Sequence, residues 1–108
     1  MNDQINNSEV FNFTGKVAFS STGIVSKRII QKKTGNITLF AFDQGQELSE
    51  HSAPFDALVQ VLEGNAQIII GGKEFILASK ESIIMPANIP HAVKAPEPFK
   101  MLLTMIKD

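Results

Sequence analysis

The stretch GQELSEHSAPFDALVQVLEG, residues 45–64, decides how the chain is read. Its second half sets Ala57, Val59 and Val61 on one face of an extended segment and Leu58, Gln60 and Leu62 on the other. Glu63-Gly64-Asn65 closes the run as a turn. Working outward, Ala66 to Ile70 leads into Gly71-Gly72, and Lys73 to Leu77 returns. Two glycines between two such runs predict a tight hairpin, because both central positions can take positive φ. Further runs follow at Ile83 to Met85, Ala92 to Ala95 and Phe99 to Ile106. Upstream, Ile37 to Phe42 is rich in β-branched and aromatic residues and ends at Asp43-Gln44-Gly45, while Lys32 to Asn36 reads as a turn. No long window carries a clean helical period, so the sequence predicts an all-β sandwich or barrel with almost no helix.

The chain has 108 residues, one domain's length. Residues 1–15 are polar and Asn-rich, and read as an N-terminal arm docked by Val10, Phe11 and Phe13; residues 16–108 form the barrel. A net charge of −1 argues against a nucleic-acid-coating role, which needs a basic footprint. Cysteine is absent, which excludes disulfides, thiolate metal sites and cysteine nucleophiles. No signal-like segment and no apolar run long enough to span a bilayer is found, so the expected protein is soluble, cytoplasmic and not membrane-bound. The last run carries Phe99, Met101, Leu103 and Met105 on one face and Lys100, Leu102, Thr104 and Ile106 on the other. Both faces are largely apolar, which predicts cover on the second face from another sheet or a second subunit.

The same stretch resembles the first motif of the cupin superfamily. Gly45 is followed after five residues by His51, and Gly64 closes the motif, with Val61-Leu62-Glu63-Gly64 worded as in the family. The family's second His and its Glu are replaced by Ala53 and Ala57. Pro86-Ala87-Asn88-Ile89-Pro90-His91 matches the second motif, with Lys80 and Asn88 standing for its two glycines and Ala95 for its last Asn. The resemblance covers roughly Ile37 to Met105 and implies a single-domain jelly-roll barrel, all-β, enclosing a pocket and pairing as a homodimer through its outer sheet.

In the family, three His and one Glu hold a divalent metal. Here the only histidines, His51 and His91, remain, and the anionic donor is gone. A dication would keep its charge inside an apolar barrel, which is costly. Parity turns Gln60 away from the pocket, and Asp56 has the wrong parity too. Met85, Met101 and Met105 are read either as core filling or as an adaptable pocket wall. Lys27-Arg28 and Lys32-Lys33 read as solvated turns, with an anion-binding strip as the alternative.

Three readings of the histidine pair stay open. They hold a metal (Zn, Ni, Mn or Fe) whose shell water or substrate completes; they hydrogen-bond a small-molecule ligand in a metal-free pocket; or they are structural. The candidate ligand-binding residues are His51, His91, Met85 and Val59, and the candidate metal ligands are His51 and His91. No Ser-His-Asp set and no phosphate-cradling loop is present. The leading expectation is a small-molecule-binding barrel. The alternative is a dioxygenase- or isomerase-type metalloenzyme, and a third class is a stand-alone relative of the ligand-sensing domains of transcription regulators. Fold alone does not choose among them.

Overall fold

Alternation in the sequence becomes two faces in each of nine strands. In the computed structural model, which describes residues 4–107, these are β1 (Ile24–Lys32), β2 (Gly35–Phe42), β3 (Glu47–His51), β4 (Asp56–Glu63), β5 (Ala66–Ile70), β6 (Lys73–Leu77), β7 (Ser82–Met85), β8 (His91–Lys94) and β9 (Phe99–Ile106). One sheet has the order β1-β2-β9-β4-β7 and the other β3-β8-β5-β6, all antiparallel. Among the described residues the only helical element is a 3-10 turn at Phe13–Gly15. The fold is the expected all-β jelly-roll barrel. Residues 1–3 of the expected arm and residue 108 lie outside the described residues.

The β5–β6 hairpin turns on Gly71 and Gly72, at φ 56° and 84°, as the Gly-Gly pair requires. Inside the barrel, Ala57, Val59 and Val61 of β4 face the core with Met101 and Leu103 of β9 and Ile68 of β5. Phe42 and Phe99 stack at 4.6 Å and are both fully buried.

The second face of β9 is covered in part, and by the chain itself. Val17 is buried with Leu39, Ala41 and Leu102 on the outer side of the five-stranded sheet, and Phe13 packs against this cluster. Lys100 fastens the segment: its ammonium donates to the Thr14 carbonyl at 2.8 Å, pairs with Glu63 at 3.4 Å and lies 5.0 Å from the Phe19 ring centroid. Of the expected anchors, Phe13 packs, Phe11 meets Phe13 edge-on, and Val10 is fully exposed. Farther along, cross-strand neighbours Ile30, Ile37, Thr104, Leu58 and Ile84 form a row across all five strands, and Ile30 and Ile84 are exposed. Among the described residues no helix is long and apolar enough to cross a membrane.

Candidate functional site

His51 and His91 come from neighbouring strands of the four-stranded sheet. Leu48 pairs with Val93 and His51 with His91, so three steps on β3 match two on β8, a β-bulge. Strict alternation would turn His51 to the face opposite Leu48. The extra residue restores parity, and both side chains look into the barrel.

Backbone bonds tie the two motif segments together. Gly45 N–H donates to the Ala95 carbonyl at 2.8 Å, Ala95 N–H to Gln46 at 3.0 Å, and Asn88 N–H to Ala53 at 2.8 Å. Asp56 Oδ1 accepts the Ala87 N–H at 2.9 Å, so this carboxylate holds the turn of the second motif and is not a spare ligand. Gln60 lies on the outer side beside Asn12 and Phe13.

Between the histidines, the two Nε2 atoms stand 3.2 Å apart, with ring centroids at 4.4 Å and planes at 70°. His51 Nδ1 faces the Ser49 carbonyl at 2.8 Å, and His91 Nδ1 faces the Ile89 carbonyl at 3.3 Å. A carbonyl only accepts, so each Nδ1 must carry the hydrogen. The three contacts together need three N–H hydrogens, and two neutral imidazoles supply two. Burial and, second, the charge of His51 push the His91 pKa below its usual 6.5, against a smaller upward pull from the Ile89 carbonyl. His91 is therefore neutral at pH 7. With both rings neutral the pair is one hydrogen short, and two lone pairs converge where an outside donor fits.

They converge on a cavity of about 240 Å³, small beside the ~300–1,000 Å³ of common ligand pockets. His51 and His91 line it from the four-stranded sheet, with Met85 of β7 and Met101, Leu103 and Met105 of β9 on the wall made by the five-stranded sheet. Val59, expected at this site, is fully buried in the core and is not on the cavity wall, although its cross-strand partner Leu103 is. Sequence reasoning missed Phe40, Leu48 and Phe55 on the wall. Phe40 shares the parity of Phe42, which was a usable signal; Leu48 faces in beside His51 only because of the bulge.

Ala53 and Ala57 present methyl groups to the same cavity, where the resemblance implies His and Glu. Among the described residues no group of three or more His, Cys, Asp or Glu converges. Two neutral nitrogens without an anionic donor do not fit the four-ligand centre.

The model of the cupin domain matches residues 38–106, most of the chain. The chain is a cupin. Solved structures agree: a conserved protein of unknown function from Streptococcus pyogenes is 38% identical with a TM-score of 0.92, over 96% of this cupin and 91% of that chain. A cupin 2 conserved barrel domain protein from Leptotrichia buccalis is 44% identical with a TM-score of 0.88; 90% of this cupin matches 47% of that longer chain. A cupin superfamily protein from Desulfitobacterium hafniense, 24% identical with a TM-score of 0.90, shares the fold over 96% of this cupin and 95% of that chain. No curated protein matches this cupin.

Proposed function

We propose that this cupin binds a small, largely apolar organic molecule in the barrel cavity, and that the His51–His91 pair receives a single hydrogen-bond donor from it. The observation that carries the reading is the pair's hydrogen count. Both Nδ1 atoms face backbone carbonyls, and both Nε2 lone pairs meet 3.2 Å apart at an otherwise apolar wall. Polar groups on such a wall need partners, and a ligand hydroxyl or amine supplies the missing one. Nothing at the site dictates a reaction, and the reading is of a binding protein.

Phenol against anisole tests it, because the two share a ring and differ in the donor. Calorimetry should show phenol binding about tenfold tighter, the size of one hydrogen bond. The preference should vanish in the His51→Ala/His91→Ala variant. Equal affinities in the unmodified protein would sink the donor reading. The same convergence of Nε2 atoms favours one rival, a weakly held Zn, Ni, Mn or Fe with water or substrate in its shell. Near-stoichiometric metal in protein purified without chelator, lost in the double variant, would replace the donor reading with that one.

The outer row of Ile30, Ile37, Leu58 and Ile84 supports a homodimer as the assembled state. It crosses the whole sheet without a charge, and a two-fold pair buries such a row against itself. Sedimentation velocity should give a dimer that Ile84→Lys dissociates; an unchanged mass in the variant would move the interface elsewhere.

A further inference from the structure

Resting on the cavity reading above, we infer that the ligand is an organic acid, with its apolar body in the barrel and its anionic group outside, in a basic groove at the barrel mouth. That groove, about 480 Å³, adjoins the cavity, since Phe55 and Met105 line both. Its polar lining comes from three places in the chain: Gln31, Lys32 and Lys33 at the end of β1, Asn36 at the start of β2, and Lys107 after β9. Gln31 and Asn36 are cross-strand partners in the same row as Met105, so the inner face of this sheet turns from thioether to amide at the point where the barrel opens.

Charge sets the ligand class. Three ammonium groups border the groove, and no Asp or Glu among the described residues lines it. Among the described residues no ion pair neutralises Lys32, Lys33 or Lys107, whereas Lys100 pairs with Glu63 on the outer side of the sheet. Lys107 leans over the Phe55 ring, 5.4 Å from its centroid, which places one cation beside the aromatic side chain shared by the two spaces. A chain with net charge −1 thus presents a locally positive, amide-rimmed opening next to an apolar chamber. A neutral apolar molecule would leave the ammoniums and amides to water. A free inorganic anion would leave the chamber empty. A carboxylate or phosphate on a short apolar body uses both, and also keeps the anion away from the lone pairs of His51 and His91.

The test compares 3-(4-hydroxyphenyl)propanoate with 4-propylphenol, which share the phenol and the body and differ in the anionic end. Titrations are read by calorimetry and by the methyl signals of Met85, Met101 and Met105 in methyl-labelled protein. Both probes should shift the three methyl signals, with the acid at least tenfold tighter at low salt. That advantage should shrink as salt screens the groove, since the Debye length falls to about 8 Å at physiological ionic strength. It should disappear in Lys32→Gln/Lys33→Gln/Lys107→Gln, where 4-propylphenol still binds as before. Equal affinities for the two probes, or an acid preference that survives both salt and the triple variant, overturns the organic-acid inference and leaves the cavity reading standing. If neither probe shifts the methionine methyls, the cavity reading falls and takes this inference with it. Inorganic phosphate serves as the third arm: it should compete with the acid and leave 4-propylphenol bound as before, whereas phosphate that leaves the acid's affinity unchanged would place the anionic end outside the groove and overturn the inference.

Discussion

The two motif segments depart from the family pattern in opposite ways. The first, Gly45 to Gly64, keeps its glycines and gives up two of three donors, with Ala53 and Ala57 in their places. The second keeps Pro86 and His91 and gives up both glycines, with Lys80 and Asn88 in their places. Yet all four backbone positions hold positive φ: 86° at Gly45, 80° at Gly64, 75° at Lys80 and 66° at Asn88. The turn geometry is thus common to both segments whichever residue occupies it. The donor set is what varies. The barrel needs its turns in order to close, whereas a cavity lined with methyl groups in place of ligands still closes and packs.

Gly64 is the turn position that tolerates a side chain least. A Cβ there would run into the Pro98 carbonyl oxygen and stand 2.9 Å from Phe99 Cβ, on a backbone already at φ 80°. Left-handed strain of roughly 1–2 kcal/mol adds to a similar cost for shifting packed neighbours. Gly64→Ala should therefore lose about 3 kcal/mol and lower Tm by ~10 °C or more in thermal denaturation. Gly45→Ala separates the two contributions. Nothing lies within 4 Å of its added Cβ, so only the strain remains. If both variants lose the same amount, close packing at Gly64 is not what the motif protects.

A smaller effect, of opposite sign, is expected in the second motif. Lys80 is an exposed residue held in the left-handed region, with its N–H donating to the Val61 carbonyl at 2.7 Å. Glycine keeps that hydrogen bond and removes strain of ~1–2 kcal/mol, offset by about 0.5–1 kcal/mol of extra chain entropy in the unfolded state. Lys80→Gly should stabilise by about 0.5–1 kcal/mol, a rise in Tm of a few degrees. Asn88→Gly should be near neutral, since Asn tolerates the same region. A Lys80→Gly variant no more stable than the original would show that the turn is not strained by its side chain.

The same division governs what could be read in advance. Strands, the Gly71-Gly72 hairpin and the inward parity of Ala57 and Val61 were legible, because alternation and turn residues are local signals. The pairing of His51 with His91 was legible only through motif resemblance. The bulge that turns His51 inward lies between Leu48 and His51, where Ser49-Glu50 contains no glycine or other local marker. Parity gives the inward face of Val59 but not whether neighbouring side chains cover it, and here they bury it fully behind the cavity wall. Asp56 read as a failed ligand because its true partner, the Ala87 N–H, is 31 residues away. The cover on β9 is expected from a second sheet or subunit, and part of it is Val17 and Phe13, in a segment that Lys100 holds through the Thr14 carbonyl.

The smallest expected effect concerns His91, the side chain that the second motif keeps. His91 titrates below 6.5 in the folded protein, because burial and the neighbouring His51 disfavour its charge. In the unfolded chain it returns to the ordinary value near 6.5. Between the two values the unfolded state binds more protons than the folded state, so stability rises with pH across that window and is level above it. Acidification below about pH 6.5 should therefore lower Tm, and His91→Gln should flatten that part of the profile. Phenol binding should weaken over the same window, because the added proton occupies the lone pairs that the ligand hydroxyl would meet. A profile that keeps its slope in His91→Gln would assign the acid sensitivity to carboxylates elsewhere in the barrel. It would also leave the histidine pair without an energetic signature of its own.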